Sequence, residues 1–367
     1  MSYTRKNPLS EGTLFADGTT THDVRAIGAR NYATGDRMPA FVGLAKHGGG
    51  FYAENTEGMT IERAMEAAHI DFNVVFGTSQ TVVELEPVIT ADGVTPARTL
   101  TLDDAGWRST VGVWPDGTAR TLGKVRGKYQ VCQQGEAAQF GQALIDKSGA
   151  NIVAAGGYGN PIGQRTYMAL RLPEEIQIGG QDPHDVYLTI LNSFDGSNGL
   201  TAVIAPIRLA CTNQTTMTFG RLAQRFQVRH TGTMADKLIA AREALDITFK
   251  WVDAWQEAMD KLLAAPMSDQ EMAAFADKLL PTPNTIKTER GENLWADRRT
   301  QIVVNAREDD TNEFGRGTRY AAYQAVTYFV DHLGTGRPDA RWSSLMDGHK
   351  HVEDVKERAA SLLLAGL

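Results

Sequence analysis

Turn signals that repeat between strand-like runs are the feature that most constrains the fold of this chain. In its middle third, Pro115-Asp116-Gly117 separates Thr110 to Trp114 from Ala119 to Arg126. Proline presets the first turn angle and glycine accepts positive φ, so this tripeptide predicts a hairpin. A Gly-rich tip at Gly156 to Pro161 and a polar run at Asn192 to Gly199 repeat the plan. Three successive hairpins predict an antiparallel sheet.

The return strand of the second hairpin has a two-sided pattern. In Arg165 to Ile178, Tyr167 and Arg171 alternate with Met168 and Leu170. Successive side chains of a strand point to opposite faces. One face of this strand can therefore join a core while the other meets a partner.

The remaining elements of the middle third are a hairpin and a helix. The hairpin pairs Val186 to Leu191 with Leu200 to Leu209, where Pro206 predicts a sheet edge or a bulge because it lacks an N–H donor. Apolar residues at helical spacing in Gly135 to Asp146 predict a helix that packs on the sheet.

After His230 the pattern becomes helical. Apolar residues recur every three or four positions from Met234 to Ala265, which predicts a long amphipathic helix, and Ser268 with Glu271 forms a capping-box pattern. Further helices are predicted at Asn293 to Arg307, Arg319 to Leu333 and Val352 to Leu364. The sequence therefore predicts an α+β fold: a central antiparallel sheet built from long hairpins with a packed helix, followed by a helical C-terminal unit.

The N-terminal part of the chain shows no sustained periodicity. Its first forty residues are rich in Gly, Thr, Asp and Asn, and Gly48 to Gly50 adds a break. Thr60 to Ala68 then has the pattern of a helix, and Phe72 to Phe76 that of a strand. We expect an irregular N-terminal arm over 1–58, an α+β core over 59–230 and a helical region over 231–367.

Composition excludes several classes of protein. The 367 residues carry a formal net charge of −7. No apolar run approaches the roughly 18 residues of a membrane-spanning helix, and Met1 to Ser10 lacks the apolar core of a signal peptide. We therefore expect a cytoplasmic protein with no membrane partner. Residues 101–230 form a net-positive segment, with 12 basic and 10 acidic residues, so a nucleic acid would meet one region of the molecule.

The sequence contains no clear signature of catalysis. Gly156 to Gly163 joins two strands, whereas a phosphate loop joins a strand to a helix. Cys132 and Cys211 lie in apolar strand contexts, where a small buried hydrophobe is the usual role. The eight histidines show no metal-ligand spacing, and no carboxylate pair stands out. We expect no catalytic residue, no metal and no cofactor.

A basic and aromatic region of the predicted sheet is the strongest functional signal. Cations and aromatic rings that alternate on a sheet can neutralise phosphates while bases stack, which suits single strands because stacking ignores sequence. The candidate nucleic-acid-binding residues are Arg120, Lys124, Arg126, Lys128, Tyr129, Arg165, Tyr167, Arg171, Arg208, Arg221 and Arg225. Two plainer interpretations stay open: the charges can form a solvated face, and Tyr129 and Tyr167 can be core or interface aromatics.

Four separated segments carry a resemblance to a known family. They are Gly127 to Val131, Asn192 to Ser197, Pro206 to Asn213 and Gly317 to Thr327. In this order and spacing they resemble the phage/plasmid-like protein family that carries domain of unknown function 932, over about residues 55–335. The family usually has His where Phe194 stands, and its Trp-His-Gly-Leu-like motif is represented here by Phe41 to Leu44.

The resemblance implies a protein of a phage, plasmid or mobile element in the cytoplasm of a bacterial host, where DNA metabolism is the commonest neighbouring activity. The order hairpin, helix, hairpin is also similar in architecture to ring-forming single-strand annealing recombinases. We therefore expect a non-enzymatic protein that binds single-stranded DNA without sequence specificity, as a homo-oligomer that can be a ring, and that can anneal strands in recombination or replication. The alternatives are a phage structural or interaction protein whose basic patch meets an acidic patch of its neighbour in a homo-oligomer, and an enzyme with a dispersed site. Arg208 can pair a phosphate or bind Asp195 across its hairpin.

Overall fold

The structure is a computed structural model that describes residues 13–14, 16–23, 51–90, 93–145, 152–159, 163–208, 225–230, 253–330 and 350–366. Several sequence predictions lie outside these residues: the break at 48–50, the motif at 41–44, the first part of the helix at 234–265, Cys211 and Arg221.

Thirteen strands are described, in three antiparallel sheets. They are β1 (Thr13–Leu14), β2 (Thr20–Asp23), β3 (Phe51–Met59), β4 (Asn73–Leu85), β5 (Val88–Thr90), β6 (Gly93–Thr95), β7 (Arg98–Val113), β8 (Ala119–Arg126), β9 (Ile152–Tyr158), β10 (Arg165–Ile178), β11 (Asp182–Ser193), β12 (Leu200–Arg208) and β13 (Arg225–Val228). The sheets have the orders β1-β2-β3-β9-β10-β11-β12-β13, β4-β7-β8 and β5-β6.

The eight-stranded sheet includes residues that the sequence predicted to be irregular. Strand β2 pairs with β3, and β3 pairs with β9, so the described part of 1–58 belongs to the sheet and β3 crosses the predicted boundary at 58/59. The prediction of an irregular arm was wrong for these strands. Their sequences, such as TTHD in β2, are too short and polar to show a period of two, and it is pairing with β9 that brings them into the sheet.

Strands β9 to β12 lie in the middle of the sheet and confirm the two predicted hairpins, β9–β10 and β11–β12. Strand β12 continues through Pro206, which lies opposite Val186. The described pairing with β13 covers Leu200 to Val203, so the proline lies beyond that pairing, as its missing N–H requires. On β10, Tyr167 is buried, as are Met168 and Leu170. The expectation that one face of this strand stays open to a partner was wrong along this stretch.

The three-stranded sheet is built on the predicted hairpin at Pro115: β8 has the predicted bounds, whereas β4 and β7 are much longer than predicted. Strands β4 and β7 pair from Asn73↔Val113 to Leu85↔Arg98. Strand β8 pairs with β7 as far as Trp107↔Arg126. Beyond that point β4 and β7 form a two-stranded ribbon, and β5 and β6 lie in the connection at its far end.

Two helices lie within the α+β core. Helix α1 (Ile61–Ala67) begins where the Thr60 hydroxyl accepts a 3.2 Å hydrogen bond from the Arg63 amide, and α2 (Gln134–Ile145) buries Phe140 in the core. Both agree with the predicted helices within two residues at each end. The fold class is therefore confirmed: antiparallel sheets with a packed helix, followed by C-terminal helices.

The C-terminal helices are α3 (253–264), α4 (Asp269–Leu279), α5 (Glu289–Glu308), α6 (Arg319–Tyr328) and α7 (Lys350–Leu364), with a 3₁₀ helix at Asp310–Gly315. The predicted capping box is present: the Ser268 hydroxyl accepts from the Glu271 amide, and the Glu271 carboxylate accepts from the Ser268 amide. Reciprocal bonds of this kind satisfy amides that would otherwise lack a partner at the start of a helix.

The helices contact the sheet at the β10–β11 turn. The Tyr320 hydroxyl donates a 2.5 Å hydrogen bond to Asp182, and the His184 ring packs edge-on against Trp255 at 5.2 Å. The Asp260 carboxylate accepts from the Gly179 amide at 2.8 Å. All three polar or aromatic links come from the same end of the central strands, so the opposite end remains for the three-stranded sheet.

Candidate nucleic-acid interface

An exposed pair of an aromatic ring and a cation lies on the three-stranded sheet. Arg126 is opposite Trp107 in register, and its guanidinium carbon is 4.4 Å from the centre of the Trp107 ring. The Trp107 side chain remains 39% exposed and Arg126 is exposed as well. A guanidinium at this distance from an indole is within the range of a cation–π interaction, which holds both groups in place.

The same sheet face carries a second predicted cation. Lys124 is two residues before Arg126 on β8 and opposite Ser109, so it projects on the side of Trp107. Val75, 48% exposed, lies on this side through the Val75↔Val111 pair. We call the surface formed by Val75, Trp107, Lys124 and Arg126 the Trp107 face.

Lys124 is partly neutralised within the chain. Its ammonium is 2.7 Å from the Asp104 carboxylate, which also accepts from the hydroxyls of Thr81 and Ser79 at 2.7 Å each. The hydrogen bond from Lys124, followed by those from Thr81 and Ser79, lowers the pKa of Asp104 to about 2. Asp104 therefore stays charged at neutral pH and competes with any phosphate for Lys124.

Two other predicted cations lie on β8 or just after it. Arg120 is exposed on β8 and its guanidinium carbon is 5.3 Å from the Trp114 ring centre. Lys128 is exposed in the turn that follows β8. The structure therefore brings together Lys124 and Arg126 on one face, with Arg120 and Lys128 further along the same strand and its exit.

Tyr129 has a partly buried, hydrogen-bonded position. Its hydroxyl donates a 2.6 Å hydrogen bond to the Ser193 carbonyl, and its ring stacks on His230 with centres 4.7 Å apart. Burial, with smaller effects of Cys132 and Asp195, raises the pKa of the Tyr129 hydroxyl well above its usual value. For Tyr129 the structure therefore favours the interpretation as a core aromatic with a satisfied hydroxyl over the interpretation as a base-stacking ring.

Arg165 is paired to an acid at the turn between β11 and β12. It lies 3.3 Å from the Asp195 carboxylate, which also accepts from Ser193 and Ser197. Burial acts to raise the pKa of Asp195, but the bonds from Ser193 and Ser197 and the charge of Arg165 outweigh it, so the net pKa is lowered. It is Arg165, opposite Ser193 across β10 and β11, that pairs with Asp195.

That turn also supports the basic strand. A Cβ built on Gly123 of β8 would lie 2.4 Å from the Asp195 Cα, far inside van der Waals contact. The Thr110 hydroxyl donates to the Phe194 carbonyl at 2.6 Å, and Phe194 itself is fully buried and packs edge-on against Phe72. The apolar ring that stands where the family usually has histidine is thus part of the core.

The remaining predicted residues lie on the eight-stranded sheet, apart from the Trp107 face. Tyr167 is 1% exposed, and a Cβ on Gly156 would lie 2.6 Å from its ring, so base stacking on Tyr167 is excluded by packing in this structure. Arg171 is exposed and lies 3.2 Å from Asp185. Arg208 lies opposite His184 and Arg225 opposite Val203. Arg221 is outside the described residues.

Sequence reasoning missed three residues near the basic strand. Trp107 is one, and the others are Arg108 and Phe76: the Arg108 guanidinium carbon is 3.7 Å from the Phe76 ring centre, and Arg108 donates to the carbonyls of Gly127 and Tyr129. If the cross-strand pairs of the hairpin at Pro115 are counted outward past Thr110, Trp107 falls near Arg126. The bulge between Thr110 and Val111 shifts this register and makes the two residues direct partners.

Other kinds of site find little support in the described part of the chain. Cys132 is buried, with its sulfur 3.8 Å from the Gln133 carbonyl oxygen, and no group of three or more His, Cys, Asp or Glu side chains there could hold a metal ion. Among the same residues, no helix is both long and apolar enough to cross a membrane.

Comparison with known proteins identifies the family. Residues 121–356 match the family described as domain of unknown function (DUF932), a region that begins within β8 and so leaves β4 and β7 before it. No curated protein and no solved structure matches the chain. Since the matched region is more than half of the sequence, the chain belongs to the DUF932 family.

Proposed function

We propose that this protein binds single-stranded DNA without sequence specificity through the Trp107 face. The observation that carries the proposal is the exposed Trp107–Arg126 pair with Lys124 on the same face. An exposed indole offers any base a stacking surface worth on the order of 1–3 kcal/mol, and the neighbouring cations can contact the backbone.

The charge distribution supports a local rather than an extended contact. The chain as a whole is acidic, with a net charge of −7, so DNA is repelled by most of its surface. Arg165 and Arg171 are each paired to a buried or partly buried aspartate. Among the candidate cations whose side chains the structure describes, Arg120, Arg126 and Lys128 are exposed on and just after β8 and are not paired to an aspartate in this way.

Within this proposal the protein belongs to a phage or other mobile element of a bacterium and acts without catalysis. Coating of exposed strands is the simplest consequence of a stacking surface with few cations. Annealing in recombination or replication is a further use of the same surface, because bases held by stacking on one face keep their pairing edges accessible.

The test is fluorescence anisotropy of the full-length protein with a labelled, unstructured oligonucleotide at increasing salt. We expect binding at about 50 mM salt that weakens as salt rises, because phosphate contacts release counterions. Trp107→Ala should lower the affinity with the salt dependence unchanged, whereas Arg126→Ala should also flatten the salt dependence. Absence of binding by the wild type at low salt contradicts the proposal.

A matched control separates this face from the buried aromatic. Tyr167→Ala removes a core side chain, so we expect a loss of stability of about 3–5 kcal/mol, the usual range for a large buried ring, and no specific loss of DNA affinity in the protein that remains folded. If Trp107→Ala and Tyr167→Ala lower the DNA affinity equally, the loss reflects general disruption of the fold and the Trp107 face is not the binding surface.

The second candidate function is a non-enzymatic phage structural or interaction protein that forms a homo-oligomer. It is favoured by the outer part of the three-stranded sheet and the connection at its end, where Val82 of β4, Ile89 of β5 and Leu102 of β7 are 61%, 80% and 51% exposed. Exposed apolar side chains that cluster in one region mark interaction surfaces more often than isolated ones do. Sedimentation of the protein alone, without nucleic acid, distinguishes this candidate from a monomer.

A further inference from the structure

The two-stranded ribbon has an open strand edge. Strand β4 is the outer strand of its sheet, and in the described structure no strand pairs with its outer side. Near the body of the protein the Gln133 side chain covers this edge, because its amide bonds both the N–H and the carbonyl of Val74. From Thr78 to Leu85 the edge has no such cover among the described residues.

The exposed segment has the composition of a strand that pairs. Thr78 to Leu85 is Thr-Ser-Gln-Thr-Val-Val-Glu-Leu, rich in β-branched residues, with Glu84 as its single charge. Natural edge strands are usually protected by lysine, proline or bulges. The β4–β7 pairing shifts register between Thr78 and Gln80, but from Gln80 to Leu85 it is regular and the strand has no lysine or proline, so this part of the edge is a template for another strand. A ribbon of two strands is also only marginally stable in water by itself, so a third strand would stabilise it.

We propose that the β4 edge pairs with the β4 edge of a second copy of this chain, antiparallel and centred on Val82. The proposal deepens the second candidate function, self-association, by naming its surface, and it does not depend on DNA binding. Two ribbons joined in this way form a four-stranded sheet with two-fold symmetry.

The register follows from charge and side-chain chemistry. Pairing centred on Val82 places Glu84 opposite Gln80 of the second copy. The Gln80 amide donates one N–H to Asp103 at 2.8 Å, and an amide nitrogen has a second N–H to offer to a carboxylate. The two Glu84 side chains are then four residues apart along the sheet, about 13 Å, which exceeds the screening length of about 10 Å at 0.1 M salt.

A register centred on Glu84 is excluded by the same reasoning. It would place the two Glu84 carboxylates directly opposite each other, and like charges in a cross-strand pair are destabilising. The centre at Val82 instead brings together two side chains that are each 61% exposed in the single chain. Charge therefore selects Val82 over Glu84 as the centre of the pairing.

Disulfide trapping tests the register. Residues directly opposite in an antiparallel pair have Cα atoms about 4.5–5.5 Å apart, within the range that a disulfide spans. We expect Val82→Cys to form a covalent dimer under mild oxidation. Thr101→Cys is the matched control, since Thr101 is exposed and pairs with Val82 but lies on β7, the other strand of the ribbon, and so is not on the β4 edge.

Lysine substitution tests the energetics by sedimentation of the full chain over a range of concentrations. Val82→Lys would place two like charges opposite each other, so we expect the concentration of half-dissociation to rise by about tenfold or more. Thr101→Lys adds the same charge to the same ribbon and should change it by less than about twofold. Thermal unfolding of both variants checks that the ribbon and body remain folded.

The outcomes distinguish the interface from self-association in general. If the wild type associates but Val82→Lys has no effect and Val82→Cys does not cross-link, the β4 edge is wrong and another surface joins the copies. If Thr101→Cys cross-links as well as Val82→Cys, the contact is random and the register is wrong. If the wild type stays monomeric at every concentration, both the β4 pairing and the second candidate function are wrong.

Discussion

The Tyr129 hydroxyl donates a 2.6 Å hydrogen bond to the main-chain carbonyl of Ser193. This bond joins the exit of the basic strand β8 to the last residue of β11, 64 residues further along the chain. Two of the segments that carry the family resemblance, Gly127 to Val131 and Asn192 to Ser197, therefore meet in space. Their contact supports the sheet that holds Trp107 and Arg126.

Replacement of this hydroxyl should affect stability and leave DNA binding unchanged. Tyr129→Phe removes the donor to a buried carbonyl, which costs about 1–3 kcal/mol when the acceptor stays without a partner. Urea unfolding followed by fluorescence measures the loss. A fall in oligonucleotide affinity with unchanged stability would instead mean that the Tyr129 hydroxyl contacts the DNA, because phenylalanine keeps the ring.

Release of Lys124 from its internal partner should strengthen DNA binding. Asp104→Asn removes the carboxylate that lies 2.7 Å from Lys124. The freed ammonium can contact one more phosphate, so we expect the slope of log affinity against log salt to steepen by about 0.7, the value per contact for single strands.

Asp103→Asn is the control for that experiment. It makes the same change in net charge, but the Asp103 carboxylate accepts a hydrogen bond from Gln80 and has no cation among its described hydrogen-bond and ion-pair partners. A local effect requires a clear difference between the two variants. Equal slopes would attribute the gain to the overall charge and leave Lys124 without a specific part.

A single methyl group on Gly123 should disturb the contact between the two sheets. Gly123→Ala would place a Cβ 2.4 Å from the Asp195 Cα, and backbone on both sides leaves little room to adjust. Overpacking of this kind costs about 1–3 kcal/mol. Gly127→Ala, where nothing lies within 4 Å of the added Cβ, should stay within about 0.5 kcal/mol. Chemical denaturation of the two variants makes the comparison.

The Asp195 turn should make stability depend on pH at the acid end. The folded-state pKa of Asp195 lies below its ordinary value of 3.8, so its ionised form is favoured by folding. This contribution is fully present above pH 3.8 and is lost as the pH falls through the lower folded-state pKa. We therefore expect the stability difference between the wild type and Asp195→Asn to shrink below pH 3.8. A difference that stays constant down to pH 2, about two units below that value, would show that the charge of Asp195 is irrelevant.

Local sequence patterns predicted most of the regular elements. Turn chemistry at Pro115 and at Asn192 to Gly199 gave the hairpins their positions, because proline and glycine restrict the backbone wherever they stand. The capping box at Ser268 marked the start of α4 for the same local reason. The family resemblance also rested on contiguous segments and is confirmed by the match over residues 121–356.

The candidate site was predicted only in part. Lys124 and Arg126 were correctly placed on one strand, since two residues of spacing puts side chains on the same face. Trp107 was missed because β7 is far longer than its apolar alternation suggests, and its outer half is exposed on both faces. Tyr167 and Tyr129 were grouped with the cations, although their surroundings bury them.

The sequence by itself determined the α+β order, the positions of the hairpins and the helical C-terminal part, because all of these depend on residues close together in the chain. Tertiary structure decided which side chains are available to a partner. Period-two alternation is the same for a strand with one covered face and a strand with two, so the burial of Tyr167 depends on what packs above it. The pairing of Arg165 with Asp195 and of Lys124 with Asp104 likewise depends on contacts 30 and 20 residues apart. Those long-range contacts separate the cations that support the fold from the few that remain exposed beside Trp107.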